Sequence, residues 1–216
     1  PLTAPTTPTT AHDSQGQNGL KRTLVFMRHG STNYTDEFPD LTPDGVRQAK
    51  KAAEELKPLI EGKNVWFRSS PAVRACGTLK TMFPDAEFLT ESAIRRIDFY
   101  DEPACLKLFA SFGVHHNVDI GYSSDPRFEN TTIMEKRSEV QRRFWTYLAH
   151  LYETFDRVPR ELPDVIVHVT HCEVLWDLAT RTNQGNYVSP GEFMVLELSK
   201  VGRSIKTAIT FRRETI

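Results

Sequence analysis

The amino-acid sequence predicts an α/β protein: a three-layer sandwich with a largely parallel central sheet and helices on both faces. Three observations predict it. Short apolar runs rich in β-branched residues alternate with stretches whose apolar residues recur every three or four positions. The 216 residues are 39% apolar, 10% aromatic and 25% charged, the balance of a soluble globular chain with a sizeable core. No stretch approaches the roughly 18 uninterrupted apolar residues that a membrane span needs. The 27 Lys and Arg nearly cancel the 28 Asp and Glu. That balance gives no field for nucleic acid or an acidic bilayer, so neither is an expected partner.

Residues 1–20 are Thr, Pro, Gln and Gly with little to bury, and are read as a flexible tail. Residues 21–216 are read as one domain. Thr23 to Met27 is a short buried strand. Thr42-Pro43 has the form of a helix cap followed by proline at the first helical position. Val46, Ala49, Ala53, Leu56 and Ile60 then mark a helix that stops at Glu61-Gly62. Asn64 to Phe67 is a second strand. Ser70-Pro71 repeats the cap signal, with Val73, Leu79 and Phe83 on the apolar side of the next helix. Glu87 to Leu89 reads as a further strand. About 95–131 is an insertion region of short helices, with a turn-rich stretch from Gly121 to Pro126.

Ile133, Val140, Phe144, Leu148, Leu151 and Phe155 then line one side of a long helix. Asp164 to Thr170 is a central strand, Cys172 to about Thr180 a helix, and Phe193–Leu198 and Ser204–Arg212 are the last two strands. Cys76, Cys105 and Cys172 lie far apart, and no Cys-x-x-Cys pair exists. A disulfide scaffold and a zinc site are therefore not expected. Reduced thiols point to the cytoplasm. The chain opens on Pro1, so a removed targeting segment stays open.

Spacing excludes several enzyme types. Gly-x-Gly-x-x-Gly, the Walker loop and Gly-x-Ser-x-Gly are absent, and no cysteine is followed six residues later by Arg. Three segments remain, each leaving a predicted strand: Arg28-His29-Gly30-Ser31-Thr32, Arg68-Ser69-Ser70-Pro71 with Arg74, and Thr170-His171-Cys172-Glu173. If their strands are parallel, all three emerge at the carboxyl edge, where ligands bind in open α/β folds. Two guanidiniums and two imidazoles then form a cradle for a dianion, because the Arg fork matches phosphate oxygens. Arg74 sits near a helix start, where free N–H groups also favour an anion. Gly30 lets the backbone pass close to the ligand.

Arg28-His29-Gly30, Leu41-Thr42-x-x-Gly45-x-x-Gln48-Ala49, Ser69-Ser70-Pro71-x-x-Arg74-Ala75 and Val169-Thr170-His171 resemble the histidine phosphatase superfamily, the phosphoglycerate mutase-like family. The resemblance covers about residues 23–212 and is weak between about 95 and 160. It implies that His29 is a nucleophile that becomes phosphorylated, while Arg28, Arg74 and His171 hold the phosphoryl group. Gly30 and Thr32 join that phosphate site. Neighbouring cations favour a neutral His29 with a free lone pair.

The sequence departs from the family pattern at two places. Ser31 stands where the family often has Glu, and Arg96 occupies the position of the usual proton donor. Glu173, at His-x-Glu spacing similar to that of the acid phosphatase branch, is the first candidate donor. Asp98 is the second, and Glu102 a further competitor. The expected function is a phosphatase with neither metal nor cofactor, acting on a phosphorylated small molecule or a phosphoprotein. The alternatives are a mutase and a catalytically inactive relative that binds phospho-ligands or protein partners.

Other conspicuous residues have plainer readings. Thr42 and Gly45 are helix-start residues without a chemical role. His168 and the three tryptophans are core, Cys172 is a packed thiol, and His115-His116 is a solvated loop. Arg95-Arg96 is either an exposed basic pair or a contact for a second substrate anion.

Overall fold

The parallel strands occupy one half of a seven-stranded sheet. The computed structural model describes residues 20–33, 40–113, 115–182, 184–185, 187–212 and 214–215. In chain order these are β1 (Lys21–Arg28), α1 (Pro43–Ile60), β2 (Val65–Ser69), α2 (Val73–Met82), β3 (Leu89–Thr90), α3 (Glu102–Ala110) and α4 (His115–Ser124). Then follow α5 (Pro126–Glu129), α6 (Arg137–Arg157), β4 (Val165–Thr170), α7 (Cys172–Thr180), β5 (Phe193–Val201), β6 (Ser204–Phe211) and β7 (Glu214–Thr215). The strand order is β3-β2-β4-β1-β5-β6-β7. β1, β2, β3 and β4 pair in parallel, and β5, β6 and β7 extend the sheet antiparallel. The tail expected over 1–20 lies outside the described residues except for Leu20.

Side-chain alternation along the strands builds the three layers. In β1, Val25 and Met27 face the α1–α2 side with Val165, Val167 and Val169 of β4. Leu24 and Phe26 face the opposite side with Ile166, where Phe144, Leu148, Leu151 and Phe155 of α6 cover them with Leu175 of α7. β1 sends its connection to one side of the sheet and β4 to the other. Their carboxyl ends therefore flank a topological switch point, which opens a crevice.

Residues 95–131 hold the short helices α3, α4 and α5, as the sequence predicts. The turn-rich stretch differs, because Gly121–Ser124 closes α4 and Asp125 caps α5 through Arg127 N–H. His115 and His116 lie at the start of α4, but their side chains are outside the described residues. Trp176 is buried, whereas Trp66 is more than a third exposed with the Arg68 guanidinium over its ring. It is not core, because β3 pairs only with Arg68 and Ser69 and leaves the start of β2 as an edge. Two of the three thiols are buried, and none forms a disulfide. Among the described residues no helix is long and apolar enough to cross a membrane.

His168 is the buried core histidine expected on β4. Its ring stacks 4.3 Å from Phe26, Nδ1 donates to Val25 O at 2.9 Å, and Nε2 accepts from the Tyr147 hydroxyl at 2.9 Å. Burial lowers its pKa to about 3. Above pH 6.5 this costs nothing, because both states are neutral. As pH falls from 6.5 toward 3 the unfolded chain takes up a proton that the folded one refuses, and stability is lost. His168→Gln is expected to flatten that loss by about one proton, or about 1.4 kcal/mol per pH unit. Urea unfolding between pH 7 and 4.5 checks it; equal slopes for both proteins would refute the assignment.

Candidate active site

The three strand-end segments meet because the sheet ladder continues past the strands. His29 N–H donates to Thr170 O at 2.9 Å and Ser70 N–H to Val169 O at 2.8 Å, which ties the ends of β1, β2 and β4 together. His29, His171 and Arg28 are buried, and Arg74 is half-buried on the first turn of α2.

Their hydrogen bonds settle both imidazole tautomers. His29 Nδ1 lies 2.8 Å from Gly30 O, an acceptor only, so this nitrogen carries the proton. Nε2 is then the lone pair, and it accepts from Arg74 Nε at 3.1 Å. Arg74 Nη2 donates to His171 Nδ1 at 3.3 Å, which leaves His171 Nε2 to donate to Ser70 Oγ at 2.7 Å. The two rings stand 5.1 Å apart. Burial above all, then the charges of Arg74 and Arg28, hold His29 well below its ordinary value of 6.5, against the Gly30 carbonyl. Burial above all, then the charges of Arg74, Arg28 and Arg143, do the same to His171. A neutral imidazole whose lone pair meets a guanidinium can attack an electrophile that this cation holds.

Ser70 departs from the sequence reading. Ala72, not Ser70, is the N-cap residue of α2, and the Ser70 hydroxyl instead accepts from His171 while still meeting Ala72 N–H at 3.3 Å. Thr42 and Gly45 also do more than begin a helix. Thr42 caps α1 through Gly45 N–H, and both its own N–H and its hydroxyl donate to Ser31 O. Gln48 Oε1 accepts from Ser31 N–H at 2.8 Å, and Thr78 Oγ1 from Gly30 N–H at 3.0 Å.

The glycines permit this contact. A Cβ on Gly45 would meet Ser31 O at 2.1 Å, and one on Gly30 would meet Gly45 O at 2.6 Å. Gly30 is thus required by the backbone packed against it, a reason independent of any ligand. Thr32 pairs with Leu41 in an isolated bridge. Its buried hydroxyl has no hydrogen-bond partner among the described residues, so no hydrogen bond joins it to Arg28, His29, Arg74 or His171.

Sequence reasoning missed Asp119. It sits on α4 and accepts from Arg28 Nη2 at 2.8 Å, while Val188 O accepts from Arg28 Nη1 and the Tyr187 ring lies beside the same guanidinium. No local pattern marks Asp119; the contact spans 91 residues. The α1–β5 side holds a separate cavity of about 630 Å³, lined by Gln48, Glu55, Phe193 and Arg212 among others.

The two candidate donors differ sharply. Asp98 is gripped by Arg95 Nε and Nη2, the latter at 2.6 Å, and this pairing holds its carboxyl below the ordinary range despite partial burial. An acid so committed is a poor donor. Burial raises the Glu173 carboxyl, and the Asp119 charge adds to the rise, against its own backbone N–H, Arg74 and Arg28. Glu173 Oε1 accepts from Ile97 N–H at 3.3 Å.

Glu102 is the first residue of α3. Arg95 and Arg96 are not an exposed pair: both are half-buried, Arg95 on Asp98 and Glu135 and Arg96 over the Phe99 ring. Cys172 is a packed thiol, pushed up to about 12 by burial. Among the described residues no group of three or more His, Cys, Asp or Glu side chains is placed to hold a metal ion.

Arg74 bridges both imidazoles and faces the space between them. Arg74→Ala is expected to weaken orthophosphate binding by about 2 to 5 kcal/mol, the range for removing one partner of a desolvated charge pair. Titration calorimetry checks it, and unchanged affinity would place Arg74 outside the anion site.

The profile of the histidine phosphatase superfamily (branch 1) matches residues 24–200. No curated protein matches the chain. Solved structures share the fold. Mycobacterial hydrolase 1 is 18% identical at TM-score 0.61, covering 91% of this chain and 100% of its own. YhfR of Bacillus stearothermophilus is 15% identical at TM-score 0.61, covering 89% and 97%. Mycobacterial glucosyl-3-phosphoglycerate phosphatase is 19% identical at TM-score 0.60, covering 90% and 99%. With a match that runs from β1 into β5 and takes in every strand end described above, the chain belongs to the histidine phosphatase superfamily, branch 1.

Proposed function

We propose that the protein is a metal-independent phosphatase that hydrolyses phosphomonoesters through a phosphohistidine on His29. The observation that carries this reading is the Arg74 Nε contact with His29 Nε2, which leaves the imidazole neutral, buried and fixed in the tautomer a nucleophile needs. A phosphoryl dianion takes the place between Arg28, Arg74 and His171. Its three oxygens receive guanidinium N–H groups in place of the imidazoles, and the negative charge offsets the two cations.

Reaction follows in two displacements. His29 Nε2 attacks phosphorus as the bond to the alcohol oxygen breaks, and the raised Glu173 carboxyl delivers its proton to that oxygen. The alcohol leaves. The Glu173 carboxylate then removes a proton from water, whose oxygen attacks phosphorus as the phosphorus–nitrogen bond breaks. Orthophosphate is released, with His29 neutral and Glu173 protonated again.

Hydrolysis is favoured over isomerisation because only Asn33 to Asp40 separates the first motif from Leu41, too short a wall to hold a bisphosphate during turnover. The substrate is a phosphorylated small molecule or a phosphoprotein, without nucleic acid or membrane as partner. The three unpaired thiols support a cytoplasmic setting. Arg96 at the usual donor position supports the reading of an inactive binder, and turnover of any phosphomonoester excludes it.

Two variants test the mechanism. His29→Ala is expected to retain less than about 1% of wild-type turnover of an aryl phosphate while remaining folded, because a covalent route cannot outlast its nucleophile. A folded variant above that level, or wild-type activity that a chelator abolishes, would overturn the reading. Glu173→Gln is expected to slow an alkyl phosphate by about 10²- to 10⁴-fold and an aryl phosphate far less, since the aryl leaving group needs little protonation. Steady-state rates on both esters check it; equal effects on the two would remove Glu173 as donor.

A further inference from the structure

Behind Glu173 lies a charge network around the buried Glu135 that the steps above do not use. Arg143 reaches from α6 to three carbonyls of one loop: Nη1 donates to Ala93 O at 2.7 Å, and Nη2 to Arg95 O at 2.8 Å and Arg96 O at 3.1 Å. Its Nε donates to Glu135 Oε1 at 2.8 Å. Glu135 is buried, and its other oxygen accepts from Asp98 N–H at 3.3 Å while Arg95 Nη2 meets Oε1 at 3.3 Å. In return Asp98 O accepts from Glu135 N–H at 2.8 Å. The loop is thus tied at Ala93, Arg95, Arg96 and Asp98.

The residue inside those ties is Ile97, whose N–H donates to Glu173 Oε1. Gln141, on the same helix as Arg143, donates through Nε2 to the Glu173 carbonyl at 2.6 Å. Helix α6 therefore grips both the donor's own backbone and the loop that holds the donor's carboxylate.

We propose that Arg143 and Glu135 are positioning residues for proton transfer, locking the Ala93–Asp98 loop so that Ile97 N–H holds Glu173 Oε1 and the transferable proton resides on Oε2. As the phosphorus–oxygen bond of the substrate breaks, that proton passes to the leaving oxygen. The charge left on the carboxylate is met by the Ile97 N–H, a dipole already oriented before the reaction. Loss of the lock removes none of the cradle residues Arg28, His29, Arg74 and His171, and Arg143→Lys keeps the charge that Arg143 places near His171. It misplaces only the acid, and a displacement of about 1 Å is enough to cost about 10²-fold. The inference rests on Glu173 as donor.

The test compares p-nitrophenyl phosphate with glycerol 2-phosphate, using the full chain and orthophosphate binding as a check on the cradle. Arg143→Lys keeps the charge but cannot span three carbonyls. It is expected to slow glycerol 2-phosphate by about 10²-fold, with the aryl rate and the orthophosphate affinity near wild type. Equal losses on both esters would mark the network as merely structural, and an unchanged alkyl rate would overturn the proposal outright. If Arg143→Lys does not fold by circular dichroism, Glu135→Gln carries the same expectation in an isosteric neutral side chain, and an unchanged alkyl-to-aryl ratio in it overturns the proposal too. Glu173→Gln run in parallel separates the two readings. If it shows the leaving-group dependence and the network variants do not, only the positioning role falls. If it shows none, the donor assignment falls and the positioning role with it.

Discussion

One guanidinium spans the two buried imidazoles, and the rest of the site is arranged around it. Arg74 offers Nε to His29 and Nη2 to His171, and both rings must turn a lone pair toward it. That choice forces the opposite nitrogen of each ring to donate, one to Gly30 O and the other to Ser70 Oγ. A cation beside a buried imidazole also keeps the ring neutral. The same contact therefore sets tautomer and orientation and adds to the burial that keeps the ring neutral, and each must be right for a histidine to act as a nucleophile.

Such an arrangement tolerates little movement in the Gly30-Ser31 backbone, and the fold holds that backbone from behind. Ser31 O is bound twice by Thr42, Ser31 N–H by Gln48 and Gly30 N–H by Thr78. The loop lies so close to α1 that neither Gly30 nor Gly45 has room for a Cβ. Thr78 also donates to Arg74 O at 2.7 Å. One hydroxyl thus links the backbone next to the nucleophile with the residue that orients it.

The carboxylates show how environment divides one residue type into separate roles. Asp98 and Glu135 are bound by Arg95 and Arg143 and serve as fixed charges. Asp119 is bound by Arg28. Glu173 is bound by peptide N–H groups, that of Ile97 at Oε1 and its own, and burial raises its pKa while the Arg95 pairing lowers that of Asp98. Sequence spacing places Asp98 and Glu173 near the same edge; the partner, an Arg or a peptide N–H, separates the fixed charge from the acid.

Much of this protein was legible in the sequence because the signals are local. Short apolar runs located β1 and β4, and apolar residues recurring every three or four positions located α1 and α6, with small errors at their ends. A strand end carries its next residues to the sheet edge whatever else the chain does, so Arg28, His29, Arg74 and His171 were readable from three short segments. What the sequence did not carry are contacts made across long separations. Asp119 reaches Arg28, Arg143 reaches Ala93, and Ser70 leaves its expected cap for a histidine just past the end of another strand. Trp66 is exposed because a neighbouring strand is two residues long, which no property of Trp66 records. By itself the sequence determined which groups stand at the carboxyl edge, since backbone geometry is set by neighbours in the chain. Only the tertiary structure decided which partner each charge has, because a charge responds to whatever lies within a few ångströms, and in a folded chain those atoms come from anywhere in it.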